Sequence, residues 1–189
     1  MNSKLKNVIN IVKKGGIIIF PTDTAFGIGC RIDDEKLVKK LFETRRRPKE
    51  KAVPVLVSSI KMAEEYADIN ETAKTLIQKH WPGGLTVVVN AKLDKTNSLV
   101  RGGGKTIGLR MPKHSTTLKL IQETGIPIIG SSANFAGEAT PYKQSDLNSD
   151  LVKLVDAVLP GRCSVKLSST VVDCTGDNIK ILRQGAVKL

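Results

Sequence analysis

Apolar residues recur near the start of the chain at Leu5, Val8, Ile9 and Val12, a spacing that winds them onto one helical face. Ser3 can cap that helix and Gly15-Gly16 can end it. The period then changes. Residues 17–20, "IIIF", form the continuous apolar run of a strand buried on both faces, and the polar "PTDT" that follows interrupts it. Leu37, Val38, Leu41 and Phe42 restore a helical stripe over 34–45. "VPVLV" at 53–57 reads as a strand whose Pro54 places it at an edge or a bulge. Segments 58–67 and 70–81 read as helices with Ser59 and Asn70 as caps, closed by "WPGG". Beyond them, 85–90 and 106–112 read as strands, 115–125 as a helix ending at Gly125, and 126–130 as a strand running into "SSANFAGEATP". The tail is strand-like at 156–160, 168–174 and 179–185.

Helices alternating with strands, followed by a strand-rich tail, predict an α/β protein with a mixed sheet flanked by helices. With no internal repeat, low-complexity segment or linker, residues 1–189 read as one domain.

Small polar residues gather where the apolar runs stop. Thr22, Asp23 and Thr24 follow the first run, and Ser131, Ser132 and Asn134 follow 126–130. Ser168, Ser169 and Thr170 stand beside "TVVD", and Arg183 and Gly185 come after "IKIL". Open α/β sheets bind ligands at strand carboxyl ends, where short hydroxyl and amide side chains and free N–H groups converge, so these loops point to a single pocket. Each loop taken alone also reads as a turn or a helix cap.

Charge sharpens that picture. Lys and Arg number 30 against 18 Asp and Glu, and the resulting +12 favours polyanionic partners: nucleotide phosphates, nucleic acid or an anionic membrane face. The surplus is conspicuous in "RRRPKEK" at 45–51, set directly against the strand at 53–57, although such a run is ordinarily a solvated face. Cys30, Cys163 and Cys174 are far apart and lack C-x-x-C spacing, which argues against a disulfide framework or zinc site and fits a reducing cytoplasm. No stretch reaches the roughly 20 apolar residues of a membrane span. His80 and His114 read as structural or surface residues, and no H-x-x-x-H, G-x-S-x-G or P-loop pattern occurs. "RGGGK" at 101–105 precedes a strand rather than a helix and reads as a flexible loop, a candidate cover for the pocket.

Taken in order, "FPTDTAFGIGC", "RRRPKEKAVPVLV", "WPGGLTVVV", "IGLRMPKH", "GIPIIGSSANFAGEATP", "SSTVVD" and "ILRQGAV" resemble the YrdC-like family, in its single-domain threonylcarbamoyl-AMP synthase form, over residues 4–187. The resemblance implies a twisted mixed sheet lining a large, positively charged cavity. It implies a reaction of L-threonine, bicarbonate and ATP giving threonylcarbamoyl-AMP and pyrophosphate, with magnesium held mainly by the phosphates. It implies a downstream partner, the complex that transfers the threonylcarbamoyl group to the adenosine next to the tRNA anticodon, with direct tRNA binding left open.

By motif position the resemblance implies that Thr24 should contact threonine, Arg110 should pair its carboxylate, and Gly130 and Ser169 should line the same pocket. Arg47, Lys51, Thr106, Ser132, Thr140 and Arg183 contact ATP, and Asn134 is a further candidate at the nucleotide. Arg45 and Arg47 before Pro48 match the family's Lys-x-Arg pair and supply the charge that meets the triphosphate. This sequence departs from the pattern in having Arg45 for lysine, Phe26 for a frequent tyrosine, Ala52 for a common proline, and Leu56 where longer relatives have a histidine. Those longer relatives carry an additional carboxyl-terminal domain, so the short form is the better match.

The main rival reading is an RNA-binding module in RNA or ribosome maturation, which +12 would suit. Aromatics make up only 4% of the chain with no paired platform, which argues against base stacking.

Overall fold

The computed structural model describes residues 3–176 and 178–189. In chain order its elements are α1 (Ser3–Lys13), β1 (Ile18–Pro21), β2 (Phe26–Gly29), α2 (Glu35–Thr44), β3 (Val55–Leu56), α3 (Ile60–Tyr66) and β4 (Ala67–Asp68). There follow α4 (Glu71–His80), β5 (Leu85–Ala91), β6 (Thr106–Arg110), α5 (Ser115–Thr124), β7 (Ile128–Ile129) and β8 (Ser131–Ser132). The chain closes with α6 (Ser149–Lys153), β9 (Ala157–Val158), β10 (Thr170–Asp173) and β11 (Lys180–Arg183).

Helices start where a short polar side chain can satisfy the first free N–H groups. Asp34 accepts from the Leu37 N–H, Ser59 from Met62 and Asn70 from Ala73. α5 is capped by the His114 ring, whose Nδ1 accepts from Thr117, and Gly125 ends it in the left-handed conformation at φ 75°.

The strands form two mixed sheets, where the sequence suggested one. The smaller has the order β8-β2-β1-β9, with β1 and β9 parallel and the other pairs antiparallel. The larger runs β11-β10-β5-β6-β3-β7, with β4 added beside β5. The two-residue period of β1 divides its side chains between two cores. Ile17 and Ile19 join Phe26, Ile28 and the α2 stripe, while Ile18 and Phe20 meet Leu5, Val8, Ile9 and Val12 of α1 and Leu120 and Ile121 of α5. Helices therefore cover both faces of β1, and its residues alternate between covers rather than between core and water. Among the described residues no helix is long and apolar enough to cross a membrane.

β2 lies where the sequence suggested only an interruption. Its "FGIG" is glycine-rich, and glycine is depleted in strands. Both glycines answer to close approach: a Cβ at Gly27 would meet the Phe20 ring at 2.9 Å, and one at Gly29 the Ile129 carbonyl oxygen at 1.7 Å. That second contact is the seam between the sheets, where the Ile129 N–H also donates to the Cys30 carbonyl at 2.9 Å. β3 is likewise no edge strand, since it lies between β6 and β7, with Pro54 just ahead of it and its carbonyl accepting from Gly130. At Gly130 the chain steps from β7 in one sheet to β8 in the other.

Gly29→Ala should therefore force the seam apart. The expected loss is about 2 kcal/mol or more, as for overpacked interiors, read as a fall in melting temperature of at least about 4 °C. An unchanged melting temperature would mean that the two sheets are not locked at this point.

Candidate functional site

Between the sheets lies a cavity of about 430 Å³. Its described lining includes Arg47, Arg110 and Arg183 and no carboxylate, so the interior is basic.

One end is built on the loop between β1 and β2. Thr22 ties that loop into a tight turn: its N–H and hydroxyl both donate to the Ala25 carbonyl, at 3.2 and 2.7 Å. The turn projects Asp23 and Thr24 toward Arg110, the last residue of β6. Arg110 is only 6% exposed and donates to three fixed acceptors: the Gly83 carbonyl at 2.9 Å, the Thr24 hydroxyl at 2.6 Å and Asp23 Oδ1 at 2.5 Å. Asp23, 3% exposed, also accepts from the Lys113 N–H at 3.0 Å. Burial pushes Arg110 down from the usual arginine range, and the charge of Asp23 beside it pushes the other way. A guanidinium has five N–H donors, and with three engaged here, two are left.

Ser169, also on the lining, precedes β10 and shares a hydrogen bond with Thr86 on β5 at 2.9 Å. Arg183, the last residue of β11, donates to the Ser169 carbonyl and hydroxyl, both at 3.0 Å. Thr170, fully buried, accepts from the Gly185 and Val187 N–H groups and donates to the Val187 carbonyl. That clasp fixes the turn after Arg183.

The basic run at 45–51 divides residue by residue. Arg45 ends α2 and is buried behind the wall, donating to the Asn134 carbonyl at 3.2 Å and the Ser131 hydroxyl at 2.5 Å. Desolvation, then the neighbouring charge of Arg47, lowers it to about 10. Arg46 takes a left-handed φ of 52° and points out, its guanidinium 4.4 Å from the Phe135 ring centre. Arg47 faces the cavity, held by the Lys51 and Ala52 carbonyls at 3.1 and 2.7 Å. The run is neither wholly a solvated face nor wholly a phosphate wall.

The cavity brings together Thr24, Arg47, Thr106, Arg110, Gly130, Ser132, Thr140, Ser169 and Arg183. It leaves three expected residues outside its lining. Lys51 is exposed, while Arg45 and Asn134 form the layer behind, where the Asn134 amide donates to the Phe135 and Glu138 carbonyls. Arg45 thus supports the wall that carries Ser131 rather than touching what fills the cavity. The 101–105 loop packs beside this wall, a Cβ at Gly102 falling 2.6 Å from the Glu50 carbonyl oxygen.

Sequence reasoning gave no role to Asp23 and overlooked Thr86, which is 2% exposed. A lone carboxylate in an otherwise neutral turn and a threonine in an apolar strand were the available signals.

A mixed-sheet α/β protein with an arginine-lined cavity is the class that fold and site define. The chain belongs to the Sua5, YciO and YrdC family, whose model, described as telomere recombination, matches residues 10–185. It is 32% identical over 179 residues to the threonylcarbamoyl-AMP synthase of Bacillus subtilis, covering 94% of this chain and 52% of that one. The structure of P. abyssi Sua5 complexed with L-threonine superposes with a TM-score of 0.92 at 31% identity, over 96% of this chain and 54% of that one. Escherichia coli YciO, an uncharacterized protein, superposes at 0.86 with 25% identity over 96% of this chain and 88% of its own. The chain spans about half the length of the first two relatives.

Arg45→Ala should remove two buried charge-assisted bonds and cost about 2–3 kcal/mol. Arg46→Ala, losing an exposed cation–π contact, should cost about 0.5–1 kcal/mol. Urea unfolding of both variants checks the ranking, and equal losses would contradict the division of roles.

Proposed function

We propose that the chain is an L-threonylcarbamoyladenylate synthase, joining L-threonine, bicarbonate and ATP to give threonylcarbamoyl-AMP and pyrophosphate. The observation that carries this reading is a single carboxylate-free cavity with Arg110 and Thr24 at one end and Arg47, Thr106, Ser132, Thr140 and Arg183 around the rest. Arg110 keeps two N–H donors free, the number a carboxylate takes in a planar two-point contact.

The chemistry asks for no protein nucleophile. The threonine amine adds to CO2 released from bicarbonate, losing a proton to form a carbamate. A carbamate oxygen attacks the α-phosphorus of ATP as the bond to the β-phosphate oxygen breaks, and pyrophosphate leaves with that electron pair. Positioning and neutralisation of developing charge are then the whole of catalysis. Arg47 and Arg183 face that charge, while Thr24, Gly130 and Ser169 shape the amino-acid end. Magnesium finds no carboxylate on the lining, and the described residues contain no cluster of three His, Cys, Asp or Glu that could hold it. The residues present do not fit a protein-held ion. The adenylate would pass to a tRNA-modifying transferase.

The defining test is pyrophosphate release by the pure protein, expected only when L-threonine and bicarbonate are both present. Release indifferent to threonine would overturn the reading. Arg47→Ala should lower turnover about a hundredfold, the loss of one strong transition-state donor. In calorimetric titrations Arg110→Ala should weaken L-threonine more than ATP and Arg183→Ala the reverse; equal losses would dissolve the division of the cavity.

A further inference from the structure

The pairing of Asp23 with Arg110 raises a question of charge. Both are buried, and among the described residues theirs is the ion pair with the least exposed side chains, 7% and 3%. Asp23 cannot swing away. Its Oδ1 is held by Arg110 and the Lys113 N–H, and its own carbonyl accepts from the Val165 N–H at 2.8 Å and the Ser164 hydroxyl at 3.4 Å. The guanidinium is equally fixed by the Gly83 carbonyl and the Thr24 hydroxyl, so the pair is rigid before any ligand arrives.

Asp23 is absent from the cavity lining while Arg110 is on it, so the carboxylate stands behind the guanidinium and the ligand in front. A carboxylate entering the cavity is then the second anion on one cation. It gains two hydrogen bonds, and its attraction to Arg110 is offset by repulsion from Asp23 through a poorly solvated interior.

We propose that Asp23 is a resident counter-ion that limits how tightly Arg110 holds a ligand carboxylate. It stabilises the empty cavity by pairing a buried cation that would otherwise be orphaned, and it weakens the bound state so that the amino-acid end can be vacated after each turnover. Asp23 is a positioning residue: it does not touch the ligand and acts by holding Arg110 and by its charge behind it. The choice of L-threonine as ligand rests on the function proposed above; the counter-ion role itself needs only a carboxylate.

Asp23→Asn is close in shape and keeps an acceptor for Arg110 and Lys113 while removing the charge. Two readouts separate a counter-ion from a merely structural residue. In thermal melts without ligand the variant should be less stable than wild type, and acetate should restore it more than it stabilises wild type. In calorimetry it should bind L-threonine about tenfold more tightly, the scale of one unit of electrostatic shift. It should show no such gain for L-threoninamide, which lacks the carboxylate. Asp23→Glu, which keeps the charge, should show neither effect. Weaker or equal L-threonine binding by Asp23→Asn, or equal gains for acid and amide, would overturn the proposal. Should Asp23→Asn not fold alone, recovery of its fold in acetate supports the proposal and failure to recover overturns it. If wild type does not bind L-threonine yet acetate rescues Asp23→Asn selectively, the function falls and the counter-ion role stands.

Discussion

A guanidinium can be taken out of water only where its acceptors are already fixed, and the walls of this cavity follow from that requirement. Four arginines meet it in one way, by donating to main-chain carbonyls: Arg45 to Asn134, Arg47 to Lys51 and Ala52, Arg110 to Gly83, and Arg183 to Ser169. A carbonyl is a dipole with no net charge, so three of the four keep their positive charge with no carboxylate partner among the described residues. Arg110 alone has one. The cavity therefore stays basic and rigid together, the two properties that electrostatic preorganisation needs.

Those carbonyls are available because the strands end there. Arg110 and Arg183 are the last residues of β6 and β11, where the ladder stops. Ser169 stands just ahead of β10, so its carbonyl is free to hold Arg183. Arg45 takes its acceptors from the segment that leaves β7 for the second sheet. The same break in regular structure that opens a space between the sheets supplies the acceptors that furnish it with cations.

This explains what was legible in the sequence. Period located α1, α2, α4 and β5, and the caps Ser59 and Asn70 the starts of α3 and α4, because such signals are local, and the polar residues after each apolar run marked the loops that do meet in the cavity. The pairing of β2 was hidden because Gly27 and Gly29 are required by the Phe20 ring and the Ile129 carbonyl, contacts made across the fold. Arg45, Arg46 and Arg47 could not be sorted by type, since a buried strut, a surface cation and a cavity wall use the same side chain. Their fates are decided by the left-handed turn at Arg46, which sends its neighbours to different environments.

The departures from the family pattern gain a physical sense at these positions. Arginine in place of lysine at 45 allows one side chain to bridge the Asn134 carbonyl and the Ser131 hydroxyl from two nitrogens, which a single ammonium cannot reproduce in the same planar geometry. Leu56 is fully buried behind Gly130, and a Cβ at Gly130 would come within 2.4 Å of its Cγ. The leucine and the glycine thus form one packed unit: the missing Cβ leaves the room that the Leu56 side chain fills. Elsewhere on the lining the hydroxyls of Thr24 and Ser169 accept from the Arg110 and Arg183 guanidinium groups, and Thr86 shares a hydrogen bond with Ser169, so hydroxyls and cations are fixed together before anything enters the cavity.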